Sequence, residues 1–161
     1  MNGLDEVRAI LCPYDFTPAC QASLREAARL ARRLGARLHV VHVVITPPMV
    51  VLSPSEGIPV PPVDQTGFLK SIEENRGPEI QAQLAREGVT GIETTIAFRD
   101  ALHADVAILE YAAAAKIGLI VMAKHGKAAL SRFLLGSTTE RVLRHAPCPV
   151  LVIPASEPKR T

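Results

Sequence analysis

The chain has 161 residues, a length that predicts one domain over residues 1–161 with a core of its own. Apolar residues make up 48% of the sequence, charged residues 21% and aromatic residues 4%, so we expect a globular protein with an aliphatic core. The net charge of +2 gives no electrostatic reason to expect a nucleic-acid partner. No apolar stretch reaches the roughly 20 residues that span a bilayer, and no signal peptide is recognised. We therefore expect a cytoplasmic protein that binds neither nucleic acid nor membrane.

Three cysteines, Cys12, Cys20 and Cys148, lie far apart along the chain. Their spacing matches no metal-ligand pattern. We expect free thiols that are buried as small apolar groups, and no metal site.

The first part of the chain predicts two strands around one helix. A short apolar run over Val7–Cys12 is typical of a buried strand. Thr17 at the N-cap and Pro18 at the first helical position begin a helix that Gly35 ends. The second strand, Arg37–Ile45, has a valine-rich centre without alternating polarity, which indicates burial on both faces, as in a parallel sheet.

The middle of the chain begins with a proline-rich loop over Thr46–Gln65, which excludes a helix or a central strand. It is longer than ordinary loops of about 12–15 residues, so it is either functional or disordered. Phe68–Glu87 predicts a helix that is weakened near Gly77 and Pro78. Gly91–Phe98 predicts a third strand, and its mixed polarity suits the edge of a sheet.

The last part alternates helices and strands. Asp100 is a candidate N-cap for a helix whose apolar stripe extends from Ala101 to Ala115. Leu119–Ala123 predicts a fourth strand, Thr138–His145 a last helix and Val150–Ile153 a fifth strand. Five strands that alternate with helices predict an α/β fold with a parallel sheet.

The strand Val150–Ile153 should lie at an edge, because Pro149 cannot donate to a hydrogen-bond ladder. Its residues are apolar on both faces, and an exposed apolar edge promotes aggregation. A homodimer that pairs this strand with its symmetry mate would cover the edge. Alternatively, Pro154 and the polar tail shield a lone edge.

Polar segments follow the first and fourth strands, where an open parallel sheet binds ligands. Pro13–Asp15 follows the first strand, and Ala123–Gly126 follows the fourth. The small residues of Gly136–Thr138 then open a helix, and the free N–H groups at a helix start suit a phosphate. Ser137–Glu140 alternatively forms a capping box, which needs no ligand.

Six segments in combination resemble the universal stress proteins, and the resemblance covers nearly the whole chain. They are Ile10–Thr17, Val41–Val44, Leu119–Met122, His125–Lys127, Leu134–Ser137 and Arg141–Val152. The resemblance implies a five-stranded parallel sheet in the order 3-2-1-4-5 with helices on both faces, a Rossmann-like fold similar to the adenine nucleotide alpha hydrolases. It also implies a dimer through the fifth strand.

One branch of that family binds ATP through the pattern G-x-x-G-x(9)-G-[S/T]. In this chain the four positions are Ala123, Gly126, Gly136 and Ser137, and the nine-residue spacer is intact. The resemblance therefore implies a site for ATP, with or without Mg²⁺.

The resemblance also implies roles for the surrounding residues. Asp15 and the backbone of Val43 would face the adenine or its ribose, while Met122 and Ala123 would line the nucleoside. Together with the residues that end the first strand, the candidate nucleotide-binding set is Pro13, Tyr14, Asp15, Val43, Met122, Ala123, His125, Gly126, Gly136, Ser137 and Thr138.

Three of these residues leave alternatives open. The methyl of Ala123 either crowds the ribose or is incompatible with a backbone conformation that only glycine adopts. If the backbone there is ordinary β, the methyl costs little. Tyr14 either stacks on the adenine or occludes it. His125 is either a phosphate contact or a turn residue.

Two functions are consistent with this sequence. One is a dimeric stress or regulatory protein that binds ATP. The other is a universal stress protein that binds no nucleotide and acts as a dimeric interaction module. We do not expect an enzyme, because neither a catalytic triad, a carboxylate pair nor a P-loop lysine pattern is found, and ATP hydrolysis would be very slow at most.

Overall fold

Five parallel strands form one sheet in the computed structural model, which describes residues 7–46, 65–124 and 135–154. The elements in chain order are β1 (Ala9–Pro13), α1 (Pro18–Leu34), β2 (Arg37–Ile45), α2 (Gln65–Arg86), β3 (Thr94–Ala101), α3 (Ala104–Ala114), β4 (Leu119–Ala123), α4 (Ser137–His145) and β5 (Val150–Ile153). The strands lie in the order β3-β2-β1-β4-β5. This confirms the predicted fold class and strand order, and β2, β4 and β5 have the predicted bounds.

Helices cover both faces of the sheet. On one face, Leu24 of α1 and Ile80 of α2 belong to a buried apolar cluster that includes residues of β1, β2 and β4. On the other face, Ile108 of α3 and Val142 of α4 belong to a second buried cluster. Every residue of β1 and β4 is buried. Burial from both sides explains why these strands show no alternation of polarity.

The ends of α1 agree with the sequence. Thr17 is the N-cap, and Pro18 begins the helix where a missing N–H costs no hydrogen bond. Gly35 ends the helix in the left-handed conformation, with φ of 62°, and its N–H bonds the carbonyl of Ala31. Glycine adopts this conformation without the steric cost that a Cβ would impose.

The third strand and the helix after it differ from the prediction. β3 begins at Thr94 rather than Gly91, because Gly91 lies in a turn with φ of 71°. β3 then pairs in register with β2 as far as Ala101, at the edge of the sheet. This pairing holds Asp100 in the strand, so the predicted N-cap role of Asp100 is wrong. His103 is the N-cap of α3, and Ala101 lies outside the helix.

The second helix begins earlier than predicted. α2 begins at Gln65, since no proline interrupts the chain between residues 62 and 78, and it continues through Gly77 and Pro78. Gln65 was predicted to belong to the proline-rich loop, and the rest of that loop from residue 47 to residue 64 lies outside the described residues. None of the described helices has the length and apolar composition needed to cross a membrane.

A buried histidine, His39, lies beneath α3. It is 8% exposed, and its Nδ1 lies 2.9 Å from the hydroxyl oxygen of Tyr111. Its Nε2 has no hydrogen-bond partner among the described residues. Burial holds the pKa of His39 below its ordinary value of 6.5, and the positive charge of Arg37 acts in the same direction, against an opposing effect of Glu93.

We expect His39 to make the protein less stable in acid. A histidine whose pKa is lower in the folded state takes up a proton on unfolding, so the free energy of unfolding falls as pH drops below 6.5. One site contributes at most about 1.4 kcal/mol per pH unit. Urea titrations at about pH 7.5 and about pH 5 should show that the free energy of unfolding falls less between these pH values in His39→Gln than in the wild type. The exposed His103→Gln is the control, and equal losses in wild type and His39→Gln would contradict the prediction.

Candidate functional site

The carboxyl ends of β1 and β4 lie side by side in the sheet, at the point where the strand order reverses. Pro13 is the last residue of β1, and Ala123 is the last residue of β4. The start of α4 is tied to the same edge, because the N–H of Gly136 donates to the carbonyl of Lys124 at 2.9 Å. The fold thus brings the ends of the first and fourth strands and the start of α4 to the same edge of the sheet.

The backbone of Tyr14 is fixed on both sides of its Cα. Its N–H donates to the carbonyl of Val41 at 2.9 Å, and its own carbonyl accepts a hydrogen bond from Nδ1 of His42 at 2.7 Å. Since a carbonyl oxygen can only accept, we assign a proton to Nδ1 of His42. Tyr14 is only 4% exposed, and burial raises the pKa of its hydroxyl to about 12. Its ring therefore belongs to the core below the turn.

Asp15 forms a local turn with the residue two positions later. Its Oδ1 accepts hydrogen bonds from the backbone N–H of Thr17 at 3.0 Å and from the Thr17 hydroxyl at 2.5 Å. The hydroxyl of Thr17 is thus used on Asp15, and no side-chain hydrogen bond caps α1. These two bonds orient the half-buried carboxylate of Asp15 at the end of β1.

Phe16 has a left-handed backbone with φ of 65°, which is rare for a bulky residue. Its ring packs edge-on against Tyr14 at 5.1 Å and His42 at 4.9 Å between ring centroids. The guanidinium carbon of Arg76, from α2, lies 4.7 Å from the centroid of the Phe16 ring. Sequence reasoning missed this residue, because left-handed positions are usually marked by glycine, asparagine or aspartate.

Ala123 has ordinary β backbone. It pairs in register with Ile153 of β5. In the described part of the chain, the residues other than glycine with positive φ are Phe16 and Lys116. The side chain of Ala123 is 5% exposed and belongs to the core on the α1 side of the sheet, together with Cys12. The alanine therefore causes no backbone strain, and its methyl is packed within the core.

The start of α4 differs from the predicted capping box. Gly136 is the N-cap and Ser137 is the first helical residue, because the bond from Gly136 to Lys124 fixes the helix start one residue earlier than predicted. The backbone N–H of Glu140 donates to the carbonyl of Gly136 at 2.9 Å, but its side chain accepts a hydrogen bond from Arg144 at 2.8 Å instead of bonding back to the cap. Gly136 has no side chain, so the N-cap residue itself contributes no side-chain hydrogen bond to the first turn of α4. The backbone N–H groups of the first turn are thus oriented as in helix starts that bind anions.

Thr139 is a further residue that sequence reasoning missed. Its hydroxyl donates to the carbonyl of Ala123 at 3.0 Å, and the residue is only 3% exposed. With the bond from Gly136 to Lys124, it ties the first turn of α4 to the end of β4. Threonine is common in first turns of helices, so nothing in the sequence identifies a partner 16 residues earlier.

The other candidate residues are only partly described. Met122 is 5% exposed and its side chain lies in the core beneath α3 and α4. Val43 is half-buried in β2. Ser137 is exposed and Thr138 is half-exposed at the start of α4. Two candidates, His125 and Gly126, lie outside the described residues.

The cysteines are free, as predicted, with Cys12 and Cys20 buried and Cys148 half-buried. Burial holds the pKa of the Cys12 thiol far above its ordinary value. Burial also raises the pKa of Cys20 to about 12, and the hydrogen bond with Asp15 and the negative charge of Asp15 act in the same direction. These thiols are not nucleophiles at neutral pH. No group of three side chains that could hold a metal ion is found within the described ranges.

We expect Thr139→Val to destabilise the junction of β4 and α4. Valine has the same shape but leaves the buried carbonyl of Ala123 without this donor, which should lower the free energy of unfolding by about 1–2 kcal/mol. Urea unfolding measures the loss. Thr138→Val, the same change on the half-exposed neighbouring residue, is the control and should change stability by less than about 0.5 kcal/mol. A loss no larger than in the control would contradict the assignment.

Comparisons with known proteins agree with this architecture. The universal stress protein MJ0531 of Methanocaldococcus jannaschii is 30% identical to this chain over 167 residues, covering 99% of this chain and 88% of that protein. A universal stress protein solved in complex with cAMP has a TM-score of 0.65 at 16% identity, covering 93% of this chain and 98% of the other. The universal stress protein from Archaeoglobus fulgidus, solved in complex with dAMP, has a TM-score of 0.60 at 20% identity, covering 91% and 97%. The model of the universal stress protein family matches residues 6–154. This chain therefore belongs to the universal stress protein family.

Proposed function

We propose that this protein binds an adenine nucleotide, with ATP as its ligand, at the carboxyl ends of β1 and β4. The observation that supports this most directly is the attachment of α4 to β4. The bond from Gly136 to Lys124 holds a helix start whose N-cap is a glycine at the end of that strand. The N–H groups of such a helix start bind phosphate. Two proteins of this fold have been solved with cAMP and with dAMP, and both ligands are adenine nucleotides.

In this proposal, the nucleoside binds near β1 and β2. The carboxylate of Asp15, oriented by Thr17, accepts hydrogen bonds from the ribose or the adenine. The backbone of Val43 faces the same group from β2. Pro13 and the buried ring of Tyr14 form the floor beneath the turn. Charge-assisted hydrogen bonds of this kind are stronger than neutral ones.

The phosphates bind against α4 in the same proposal. The backbone of Gly136–Thr138 donates to phosphate oxygens at the helix start, and Gly126 and His125 complete that side. Met122 and Ala123 contribute backbone atoms, because their side chains are buried. Any Mg²⁺ would be coordinated by the phosphate oxygens of ATP.

The protein acts by binding rather than by rapid turnover. The Asp15 carboxylate is engaged with Thr17, and burial keeps the thiols of Cys12 and Cys20 protonated, so the described site contains no activated nucleophile. We expect any ATP hydrolysis to be slower than about 1 s⁻¹, the low end of typical enzymes. The role we propose is that of a cytoplasmic regulatory or stress-response protein.

One observation favours the second function, a dimeric interaction module without a nucleotide. The side chains of Tyr14 and Met122 are both buried, so neither presents an open surface on which adenine could stack. In that case the carboxyl ends of β1 and β4 would hold no nucleotide. Titration with nucleotide separates the two functions.

We expect isothermal titration of the full chain with Mg-ATP to show saturable binding at millimolar nucleotide or below. Asp15→Asn keeps an Oδ1 acceptor for Thr17 but removes the negative charge, and should weaken binding by about tenfold or more. Asp100→Asn, the same substitution on an exposed residue of β3, is the matched control. An absence of heat from the wild type at millimolar Mg-ATP would overturn nucleotide binding in favour of the interaction module.

A substitution at Ala123 tests whether its methyl restricts the ligand. Because that methyl lies in the core and the backbone is ordinary β, Ala123→Gly should change the affinity for Mg-ATP by less than about twofold. The same change should lower the free energy of unfolding by about 1 kcal/mol. Binding that is tighter by tenfold would show that the methyl does obstruct the nucleotide.

We also propose that two copies pair through β5. The two edges of the sheet differ, since β3 exposes the polar side chains of Thr95, Arg99 and Asp100, which discourage strand pairing. β5 is apolar throughout, with Leu151 38% exposed, and Leu143 of the neighbouring α4 is 43% exposed. A two-fold pairing of β5 strands would cover these apolar groups.

Sedimentation of the full chain should show a dimer. Leu151→Asp places a charge in the proposed interface and should shift the protein toward monomer, because burying an unpaired carboxylate is costly. Leu102→Asp, the same change on a residue that is 54% exposed between β3 and α3, should leave the dimer intact. A wild-type monomer, or a dimer that survives Leu151→Asp, would contradict pairing through β5.

A further inference from the structure

The β1–α1 turn contains an unfavourable backbone conformation directly after the candidate ligand-binding carboxylate. Phe16, with φ of 65°, is one of two non-glycine residues with positive φ in the described ranges, and the other, Lys116, lies at the opposite end of the sheet, before β4. Such conformations persist only where the surrounding structure fixes them, and they concentrate at functional sites. What holds Phe16 in place therefore also determines the orientation of Asp15.

Three groups from three different elements hold the Phe16 ring. Tyr14 lies at the start of the same turn, with ring centroids 5.1 Å apart. His42 comes from β2, with its centroid 4.9 Å away, and is itself anchored by the bond from Nδ1 to the carbonyl of Tyr14. Arg76 comes from α2, with its guanidinium carbon 4.7 Å from the ring centroid. The ring is thus held by the turn, by the sheet and by a helix that is distant in sequence.

Arg76 differs from the other two groups because it is charged and accessible. Its side chain is 48% exposed and pairs with Glu79, which is 53% exposed, at 2.9 Å. The aliphatic core does not require this residue, and an exposed ion pair contributes little to stability. A cation over the face of an aromatic ring is nevertheless attracted by the ring quadrupole, and here that contact joins α2 to the turn.

We propose that Phe16 and Arg76 are positioning residues, whose ring–guanidinium contact holds the β1–α1 turn so that Asp15 is oriented toward the nucleotide. This inference rests on the proposed nucleotide site for its ligand, but the positioning of the turn is a property of the protein alone. The hydrogen bond from the Thr17 N–H to Oδ1 of Asp15 lies within the turn and spans Phe16, so exchange of this N–H reports on opening of the turn.

The test uses residue-resolved amide hydrogen exchange of the Thr17 N–H in the full chain without ligand, and titration of the same proteins with Mg-ATP. Phe16→Leu removes the aromatic face and keeps apolar bulk, while Arg76→Gln removes the cation at an exposed site where folding is not at risk. Arg76→Gln should speed exchange at Thr17 by about two- to fivefold, the factor that corresponds to a cation–π contact at an exposed site, and weaken Mg-ATP binding by a similar factor. Phe16→Leu, which also loses the ring contacts with Tyr14 and His42, should have at least as large an effect. The double variant should be no worse than Phe16→Leu alone.

Two further variants separate positioning from general loss of stability. Arg76→Lys keeps a cation over the ring and should recover most of the wild-type exchange and affinity. Arg86→Gln removes an arginine from the end of the same helix, ten residues farther along, and should change neither. Additive effects in the double variant, or equal losses in Arg76→Lys and Arg76→Gln, would overturn the inference.

The two readouts distinguish failure of this inference from failure of the proposed function. Unchanged exchange at Thr17 in Phe16→Leu and Arg76→Gln overturns the positioning role, whatever the affinity of these variants for Mg-ATP. Faster exchange together with weaker Mg-ATP binding supports the whole proposal. Faster exchange with unaltered Mg-ATP affinity overturns the link between the turn and the ligand. Faster exchange in a protein whose wild type binds no Mg-ATP supports the positioning of the turn and overturns the nucleotide as its ligand.

Discussion

The parallel pairing of β1 with β4 is the constraint on which the candidate site depends. Parallel neighbours must be joined by crossovers, so both strands end at the same edge, and helices must cover both faces. Every residue of β1 and β4 is therefore buried, and the chain can become polar only after Pro13 and after Ala123. The β1–α1 turn and the start of α4 therefore lie at the same edge of the sheet.

Ala123 is important for its backbone more than for its side chain. Its methyl adds to the core on the α1 side, while its carbonyl accepts the buried hydroxyl of Thr139. The next residue, Lys124, donates its N–H to Ile153 and accepts the N–H of Gly136. The end of β4 is thus bonded to both β5 and α4. The position has ordinary β geometry, so alanine causes no backbone strain there.

Much of the fold could be predicted because its signals are local. The apolar runs gave β2, β4 and β5 their bounds, and Thr17, Pro18 and Gly35 defined α1. The errors arose where tertiary pairing overrode a local preference.

Asp100 is a good N-cap by residue type, but in-register pairing of β3 with β2 keeps it in a strand. Ser137 and Glu140 match a capping box, but the bond from Gly136 to Lys124 starts the helix one residue earlier. Phe16, Arg76 and Thr139 could not be found at all, because their roles depend on partners distant in sequence.

Two unfavourable features of this fold lie at the carboxyl edge of the sheet. The left-handed Phe16 costs roughly 1–2 kcal/mol, and a glycine N-cap, which has no side chain, forgoes roughly a few tenths of a kcal/mol relative to serine or threonine. Burying one leucine or isoleucine side chain contributes about 1.5–3 kcal/mol, and the sheet buries many, including Ile10, Leu11, Leu24 and Ile120 at 0% exposure. The core can therefore support both features, and each is of a kind that a ligand can use. In the proposed site, a phosphate would satisfy N–H groups at the start of α4, and a turn held in advance would lower the ordering cost of binding at Asp15.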